Sequence, residues 1–366
     1  MSLKQRIIDE YYMRMALSLA LRGTGRTSPN PMVGCVIVRD GKVLAEGYHS
    51  CCGEDHAERA ALGKTGDASG ATLYVNLEPC SHFGRTPPCA PLIVERGVSR
   101  VVAGMEDPDI RVSGRGTAIL RNGGVDVSTG ILEKECRWLN RGFIRRVTLG
   151  RPWVTVKGAV SLDGGMALRG GESKWITGPD AREAAHLLRS RHDAILVGCG
   201  TILSDDPELT VRSTCGESPL RIVLDSNLSI PSGAKVARKG TMVFVAPDVE
   251  EEKRKCAESL GMDVIPVPVA ERGLSIPCVL SALAERGICS VLVEGGPSVI
   301  ASFFREQAVD SVSLFVSPRI MGMNRPFSGP LSFASMEETI MLKECSVRQI
   351  GRDFLVEGVP ECSPAL

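Results

Sequence analysis

The sequence predicts an α/β protein with two domains, and three observations carry this prediction. Segments with strand-like and helix-like patterns alternate along the chain, which is typical of layered α/β domains. The alternation stops at the breaker Gly150-Arg151-Pro152 and then starts again. The length of 366 residues also exceeds the size at which one hydrophobic core usually keeps growing. We therefore expect one domain over residues 1–146 and a second over residues 152–366.

Composition favours an enzyme with a small substrate. The 43 basic residues balance the 43 acidic ones, so there is no global electrostatic reason to bind nucleic acid or anionic lipid. No stretch approaches the roughly 20 apolar residues that a membrane helix needs, and the N-terminal segment MSLKQRIIDEYY lacks the apolar core of a signal peptide. We expect a soluble, cytoplasmic protein that acts on a small molecule, without a membrane or nucleic-acid partner. A homo-oligomer is compatible with the sequence.

The first half of the chain begins with an amphipathic helix over residues 4–22, where apolar side chains recur at helical spacing. Two short strands at 33–38 and 43–48 flank the hairpin signal Asp40-Gly41. Further strands are expected at 72–77 and 100–103, and helices from His56 and over 90–96, 116–122 and 133–145.

The second half repeats the alternation of strands and helices. Strands are expected at 153–160, 194–197, 221–224, 242–245 and 290–294, and helices over 179–191 and from about Pro297. No repeat with a period of about 20–50 residues is visible, so a solenoid is not expected. Glycine is plentiful, at 39 residues, whereas aromatic residues make up 4%, which is common in α/β enzymes with many tight turns.

The 13 cysteines do not indicate a disulfide framework. Their number is odd, and most lie singly in apolar runs such as GCVIV and ICSVLV. We expect them to be reduced, as in a cytosolic protein. The adjacent pair Cys51-Cys52 is interpreted as structural, because neighbouring cysteines rarely ligate one ion together.

Two cysteines stand apart in the stretch EPCSHFGRTPPC, which follows the triplet His56-Ala57-Glu58. A catalytic zinc takes three protein ligands and leaves a fourth position for water. His56, Cys80 and Cys89 supply such a set, and Cys89 stands where a helix should begin, so helix-terminal amides favour its thiolate. Glu58 lies two positions after His56 and can reach the bound water without being a ligand. It is therefore the candidate general acid and base.

Other interpretations of these residues remain open at this point. An isolated cysteine pair in a cytosolic chain usually packs in a core, and an isolated His-x-Glu is usually a solvated helix start. A structural zinc site is normally closed by four protein ligands, and His82 is the residue that would close this one.

The His-x-Glu together with PCSHFGRTPPC resembles the deaminase domain of the bacterial bifunctional riboflavin biosynthesis deaminase-reductases. Zinc nucleobase deaminases generally have two residues between the cysteines, whereas here a longer loop separates them, as it does in that family. The segment NPMVGCVIV also matches, and the resemblance spans about residues 10–145. It implies a cytidine-deaminase-like layered α/β fold, a Zn²⁺ ion and a substrate pocket lined by Asn30, His49, His82 and Arg85. Arg85 suits a phosphate group; ordinary loop polarity is the alternative for all four.

The clearest signal in the second half is ICSVLVEGGPSVIASFF, an apolar strand, a turn at Gly295-Gly296 and a helix from about Pro297. Backbone N–H groups and the helix dipole converge at such a helix start, which makes it a cradle for an anion such as a cofactor pyrophosphate. The motif is not GxGxxG, so a Rossmann dinucleotide fold is disfavoured. An ordinary tight turn is the alternative.

Four segments of the second half follow one another as in the reductase domain of the same family: VKGAVSLDGGMA, GESKWITG, LVGCGTILSDDPELTVR and VEGGPSVIASFF. This resemblance covers about residues 152–358 and implies a dihydrofolate-reductase-like α/β fold with NADPH as the cofactor. The implied cofactor contacts are Ala159, Trp175, Thr201, Asp205, Gly296, Pro297 and Ser298. The implied substrate contacts are Ser173, Arg189, Leu209, Arg212 and Glu294.

Four finer assignments complete the predicted reductase site. Lys157 and Asp163 lie near the reacting ribose by analogy, and Lys157 and Asp205 join Glu58 as the candidate catalytic residues. Ser226, directly after the strand RIVLD, is a candidate contact to a 2′-phosphate. For Arg189, within LLRSRH, a helix-surface charge is the alternative.

Together the two halves predict two consecutive steps of riboflavin biosynthesis. The first is zinc-dependent hydrolytic deamination of 2,5-diamino-6-(5-phosphoribosylamino)pyrimidin-4-one. The second is NADPH-dependent reduction of the ribosyl group of 5-amino-6-(5-phosphoribosylamino)uracil to a ribityl chain. The balanced charge and the lack of a basic tract disfavour an RNA-editing deaminase with a C-terminal binding module. A non-catalytic zinc protein is the other alternative.

Overall fold

The structure is a computed structural model that describes residues 2–83, 87–110, 112–212 and 216–366. Its contacts divide the chain into two compact units, of which the first reaches Gly150 and the second spans Arg151–Ala365. Gly150 ends the last helix of the first unit with a φ of 65°, a left-handed conformation that glycine adopts without steric cost. Among the residues described, no helix is both long enough and apolar enough to cross a membrane.

The first unit is built on one five-stranded sheet. Its strands are β1 (Gly34–Arg39), β2 (Lys42–Tyr48), β3 (Thr72–Val75), β4 (Arg100–Ala103) and β5 (Asp126–Thr129). They are arranged in the order β2-β1-β3-β4-β5; β1 pairs antiparallel with β2 and β3, and β3, β4 and β5 are parallel. Asp40 and Gly41 both have a positive φ, as a two-residue type I′ hairpin requires.

Helices cover both faces of this sheet. They are α1 (Leu3–Ala20), α2 (Ala57–Leu62), α3 (Cys89–Glu95), α4 (Arg115–Asn122), α5 (Glu133–Leu139) and α6 (Arg141–Leu149). Ile37 of β1 packs with α2, α3 and α4, whereas Val36 and Val38 pack with α1 and α6 on the opposite face. This alternation follows from the two-residue period of a strand.

The predicted helix over 133–145 is wrong in one respect, because the structure has two helices that meet at Asn140. The Asn140 side chain accepts a hydrogen bond from the backbone N–H of Met32 at 2.8 Å and donates one to the Met32 carbonyl at 3.0 Å. A side chain tied to a distant backbone segment fixes where the helix must change direction. Helical periodicity alone carries no trace of that contact.

The second unit contains a nine-stranded sheet and two small ribbons. Its strands are β6 (Trp153–Ser161), β7 (Gly165–Leu168), β8 (Ala194–Gly198), β9 (Leu220–Leu224), β10 (Thr241–Val245), β11 (Asp263–Pro266), β12 (Val269–Ala270), β13 (Gly273–Leu274), β14 (Ser290–Val293), β15 (Ser311–Ser317), β16 (Asn324–Pro326), β17 (Leu342–Ile350) and β18 (Asp353–Pro360). The order of the large sheet is β11-β10-β9-β8-β14-β6-β15-β18-β17. It is parallel from β11 to β15, and β15, β18 and β17 are antiparallel. The ribbons are β12-β13 and β16-β7.

Helices α7 (Pro179–Ser190), α8 (Cys199–Asp205), α9 (Glu251–Ser259), α10 (Ile276–Glu285) and α11 (Pro297–Arg305) belong to the second unit. Helices α10 and α11 pack on one face of the parallel strands, and α8 and α9 pack on the other. Strand β14 pairs with both β6 and β8, with Val293 opposite Val156 and Leu196. The residues that follow these three positions therefore lie side by side near the carboxyl ends of parallel strands, where ligands of α/β sheets usually bind.

Candidate active sites

Three predicted metal ligands come together in the first unit. His56 is the residue before α2, Cys89 is the first residue of α3, and Cys80 lies in the loop after β3. The Sγ atoms of Cys80 and Cys89 lie 3.4 and 3.6 Å from His56 Nδ1. All three ligand atoms lie within 4.8 Å of one another.

This geometry fits a tetrahedral zinc ion. Zinc–nitrogen and zinc–sulfur bonds of about 2.1 and 2.3 Å at the tetrahedral angle place the two ligand atoms roughly 3.6 Å apart. The backbone N–H of Cys89 donates to Cys80 Sγ at 3.2 Å. The pKa of Cys80 falls to about 4, chiefly because the Cys89 thiol donates a hydrogen bond to it, so one ligand is readily a thiolate. His82 lies on the same cavity but outside this group of three, so the described residues supply a site with an open position.

Glu58 lies in the first turn of α2, two residues after His56. Its side chain is buried, and burial, reinforced by the charge of Cys80, raises the pKa of Glu58 to about 7. A carboxyl group with such a pKa can both accept and release a proton near neutral pH.

His49 and Asn30 form a hydrogen-bonded pair beside this centre. Since the backbone carbonyl of Asp55 can only accept, His49 Nδ1 donates to it at 3.1 Å. His49 Nε2 then accepts from Asn30 Nδ2 at 3.1 Å. Burial lowers the pKa of His49, which favours this neutral tautomer.

A cavity of about 350 Å³ joins these residues. Six predicted residues line it: Asn30, His49, His56, Glu58, Cys80 and His82. Arg85 lies outside the described residues. Cys52, which the sequence analysis interprets as structural, also lines the cavity, although neither Cys51 nor Cys52 belongs to the metal-ligating group.

In the second unit, three predicted residues form one largely buried charge cluster. Arg189 of α7 donates two hydrogen bonds to the carboxylate of Glu294, at 2.8 and 2.9 Å, and Lys157 Nζ lies 3.4 Å from the same carboxylate. Lys157 and Glu294 meet because each follows a residue of the Val156–Val293 pair on neighbouring strands. Burial alone would raise the pKa of Glu294, but the charges of Lys157 and Arg189 hold it below its usual range.

Several predicted cofactor contacts lie at the starts of helices α11 and α8. Gly296 precedes α11, Pro297 is its first residue, and Ser298 follows in the first turn. A Cβ at Gly295 would lie 2.7 Å from Cβ of Val299, so this turn requires glycine for close packing. Thr201 lies near the start of α8, which begins after Gly198 at the end of β8. The predicted sequence of strand, glycine turn and helix is confirmed.

Comparison with known proteins covers both units. Residues 152–356 match the RibD C-terminal domain, and residues 6–105 match the cytidine and deoxycytidylate deaminase zinc-binding region. The riboflavin biosynthesis protein RibD of Aquifex aeolicus is 42% identical over 354 residues, which cover 96% of this chain and 98% of that protein. The chain belongs to the RibD family of riboflavin biosynthesis proteins.

Solved structures of RibD proteins have the same two-unit fold. Acinetobacter baumannii RibD, form 1, superposes with a TM-score of 0.89 at 36% identity, covering 98% of this chain and 99% of that one. The Thermotoga maritima diaminohydroxyphosphoribosylaminopyrimidine deaminase/5-amino-6-(5-phosphoribosylamino)uracil reductase gives 0.87 at 39% identity, covering 97% and 99%. The resemblance stated from the motifs is thereby confirmed: this RibD-family chain is a deaminase and a reductase of riboflavin biosynthesis, with a zinc-binding region in its deaminase domain.

Several residues of the RibD deaminase cavity were not predicted. They are Glu78, Asp107, Asp109, Phe143, Arg146 and Val147. Glu78, two residues before Cys80, accepts hydrogen bonds from the backbone N–H groups of Asp107, Gly114 and Thr117 at 2.9–3.2 Å. It thus joins the cysteine loop to the start of α4. The sequence EPC contains this carboxylate, but its partners lie 29, 36 and 39 residues further along the chain.

The remaining predicted residues of the RibD reductase site differ in burial and in their interaction partners. Arg189 is largely buried and bonded to Glu294, which excludes the surface-charge alternative. The side chain of Leu209 is 2% exposed and packs in the core, so only its main chain, with a φ of 55°, is available to a ligand. Arg212 pairs with Glu208 at 3.4 Å, and Asp205 lies 3.8 Å from Lys174 Nζ.

Trp175 is 64% exposed, with the Arg182 guanidinium 4.5 Å from its ring centre. Asp163 accepts hydrogen bonds from Ser161 Oγ and from backbone N–H groups in the turn after β15, so it braces that turn. The last three predicted residues are Ala159 in β6, Ser173 in the segment before α7 and Ser226, two residues after the end of β9.

Proposed function

We propose that the chain catalyses two consecutive reactions of riboflavin biosynthesis at two separate sites. The first unit hydrolytically deaminates 2,5-diamino-6-(5-phosphoribosylamino)pyrimidin-4-one. The second unit reduces the ribosyl group of 5-amino-6-(5-phosphoribosylamino)uracil to ribityl with NADPH. The observation that carries this proposal is the group His56, Cys80 and Cys89 beside buried Glu58, in one chain with a RibD-type reductase unit. The Thermotoga maritima relative bears both activities in its name.

In the deaminase unit, His56, Cys80 and Cys89 hold Zn²⁺. Zinc bound there supplies a Lewis acid that makes water nucleophilic near neutral pH. Glu58 takes up the proton released by the attacking water and delivers it to the departing amine, which its raised pKa suits. Because Glu58 is buried, the proton is not lost to bulk water between these steps.

Asn30 and His49 orient the pyrimidine. Burial lowers the pKa of His49 and favours its neutral form, in which Nδ1 donates to the Asp55 carbonyl and Nε2 accepts from the Asn30 amide nitrogen. This leaves Asn30 Oδ1 as an acceptor for an amino group of the ring. Arg85 and His82 are further substrate contacts proposed from the family resemblance.

In the reductase unit, NADPH supplies the hydride. The proposed contacts to NADPH are Ala159, Trp175, Thr201, Asp205 and Ser226. The turn Gly296-Pro297-Ser298 also contacts the cofactor, because the N–H groups at the start of α11 can bind an anion such as its phosphates. Lys157 and Glu294 lie at the reacting ribose, and the Lys157 side chain can donate a hydrogen bond to a ribose oxygen on which charge develops.

Two arginines of the reductase unit have different parts in substrate binding. Arg189 already donates to Glu294 and to the Thr210 carbonyl, so it positions that carboxylate more than it binds phosphate. Arg212 forms a half-exposed ion pair with Glu208 and is the better partner for the 5-phosphate. Ser173 and the main chain of Leu209 complete the proposed contacts.

The test is to incubate the purified protein with the diaminopyrimidine phosphate, with and without NADPH, and to follow ammonia release and NADPH oxidation. Ammonia should appear without NADPH, and NADPH should be oxidised only after deamination. Removal of zinc by a chelator should abolish ammonia release while the already deaminated compound is still reduced. Reduction of the diaminopyrimidine before deamination would contradict the proposed order.

A further inference from the structure

Helix α6 forms one wall of the deaminase cavity. Phe143, Arg146 and Val147 line it, and their spacing of three and four residues places them on one face of the helix. The Asn140 side chain, at the start of α6, forms two hydrogen bonds with the backbone of Met32. Met32 lies two residues after Asn30 in the chain. The helix is therefore anchored to the same segment that carries a proposed substrate contact.

The charges on this cavity are strongly unequal. Five carboxylates line it: Glu54, Glu58, Glu78, Asp107 and Asp109. Among the described lining residues, Arg146 is the one arginine or lysine. Its side chain is half-buried, so its charge is partly shielded from bulk water.

Two of the three histidines that line the cavity, His49 and His56, do not replace this charge. His56 belongs to the metal-ligating group, and the buried His49 is neutral, with its Nδ1–H given to the Asp55 carbonyl. Even though burial raises the pKa of Glu58 and of Asp107, carboxyl groups outnumber cationic side chains among the described lining residues, so a fixed positive partner would favour entry of a phosphate dianion.

We propose that the Arg146 guanidinium binds the 5-phosphate of the deaminase substrate. This inference rests on the proposed function, since it takes a phosphoribosyl pyrimidine as the substrate. A guanidinium can offer two parallel N–H groups to phosphate oxygens, which binds phosphate more tightly than a point charge does. Phe143 and Val147 lie on the same helix face as Arg146 and give this wall of the cavity an apolar lining. Arg146 thus adds to the phosphate contact that the family resemblance implies for Arg85, and it contributes to selectivity for the phosphorylated compound.

The test compares two substrates in three variants. The substrates are the phosphorylated diaminopyrimidine and the same compound after removal of its phosphate. The variants are Arg146→Met, Arg146→Lys and the control Arg137→Met; Arg137 pairs with Glu133 on α5 and does not line the cavity. For Arg146→Met, kcat/KM with the phosphorylated substrate should fall by about 30- to 100-fold, mainly through KM. The value for the dephosphorylated substrate should change by less than about threefold, and Arg137→Met should match the wild type for both.

The outcomes separate this inference from the proposed function. An equal loss on both substrates, or no loss on either, overturns the role of Arg146 while ammonia release by the wild type upholds the deaminase. A wild type that releases no ammonia overturns both. If Arg146→Met does not fold or retain zinc, Arg146→Lys decides, because it keeps the charge but not the fork of two donors. Its preference for the phosphorylated substrate should drop by about 5- to 10-fold, and an unchanged preference overturns the proposal.

Discussion

In the proposed deaminase centre, three side chains bind the metal, and the Glu58 carboxyl group transfers the proton. Glu58 is buried two residues after His56, but it is not part of the metal-ligating group. We therefore expect Glu58→Gln to retain zinc while deamination falls by about 100-fold or more, because only proton transfer is removed. Zinc content by elemental analysis and ammonia release check this together. Normal turnover in this variant would show that another group moves the proton.

A separate prediction concerns the zinc content of variants in which one of the metal-ligating cysteines is replaced. Cys80→Ser and Cys89→Ser should each lose most of the bound zinc, because two remaining ligands hold the ion poorly. Cys51→Ser is the matched control, since Cys51 lies in the same unit but outside the ligand group. About one zinc per chain is expected in the wild type and in the control. Full zinc content in Cys89→Ser would refute the ligand assignment.

Among the secondary-structure elements, the contact between the cysteine loop and α4 depends on one glycine. A Cβ at Gly116 would overlap the carbonyl oxygen of Pro79, which directly precedes Cys80. Gly116→Ala should therefore destabilise the first unit by about 2 kcal/mol or more, because backbone on both sides must move. Gly66→Ala, where a Cβ meets nothing within 4 Å, should leave stability nearly unchanged. Urea denaturation of both variants checks this, and equal stabilities would count against the close approach.

Helix α1 is fixed to strand β4 by a buried ion pair. Asp9 is fully buried and accepts two hydrogen bonds from Arg100, both at 2.8 Å. Burial raises the pKa of Asp9, but the bonds from Arg100, Gln5 and Tyr74 outweigh burial and hold it below its usual value. Asp9→Asn should lower the free energy of unfolding by about 2–4 kcal/mol at neutral pH, because Arg100 loses its buried charged partner and keeps only the exposed Asp126 carboxylate.

The pH dependence of this effect has a definite sign. A carboxyl group with a depressed folded-state pKa stabilises the protein above its unfolded pKa of about 3.9, and this contribution is lost as the pH falls through the folded value. The stability difference between the wild type and Asp9→Asn should be constant near neutral pH and shrink below about pH 4. Glu10→Gln, which affects the exposed pair with Arg6, should change little. A difference that persists undiminished in acid would contradict the role of the Asp9 charge.

Local patterns predicted many, but not all, of the elements whose side chains are buried on a regular period; β15 and α10 are also buried and were not predicted. Strand β4 and the strands of the parallel sheet are apolar runs, and helix α3 begins at Cys89 after two prolines, close to the residues expected. Strands β5 and β17 escaped prediction because they are edge strands with largely exposed side chains, so no apolar alternation marks them. The break at Asn140 escaped because it depends on a contact 108 residues away.

The deaminase site divides in the same way. Its metal-ligating group and Glu58 lie in short sequence motifs, so their residue types and spacing were enough to predict them. Glu78, Asp107 and Arg146 line the cavity through contacts between distant segments. In the reductase unit, periodicity did not show that Arg189 and Lys157 would converge on Glu294, which depends on strand order.

Considered as a whole molecule, the chain consists of two units that each have their own sheet and core. The metal-ligating group lies wholly in the first unit, and the Glu294 cluster lies wholly in the second. Each proposed chemistry therefore draws on side chains of one unit. A substitution at one site should leave the other reaction intact.

The most direct test of this two-site account is a pair of assays on Glu58→Gln and Asp205→Ala. One assay follows ammonia release from the diaminopyrimidine phosphate, and the other follows NADPH oxidation with the already deaminated compound. Glu58→Gln should lose the first activity and keep the second, whereas Asp205→Ala should release ammonia normally and oxidise little NADPH, because a proposed cofactor contact is gone. If Glu58→Gln remains folded but loses both activities, the two sites are coupled and the account is wrong.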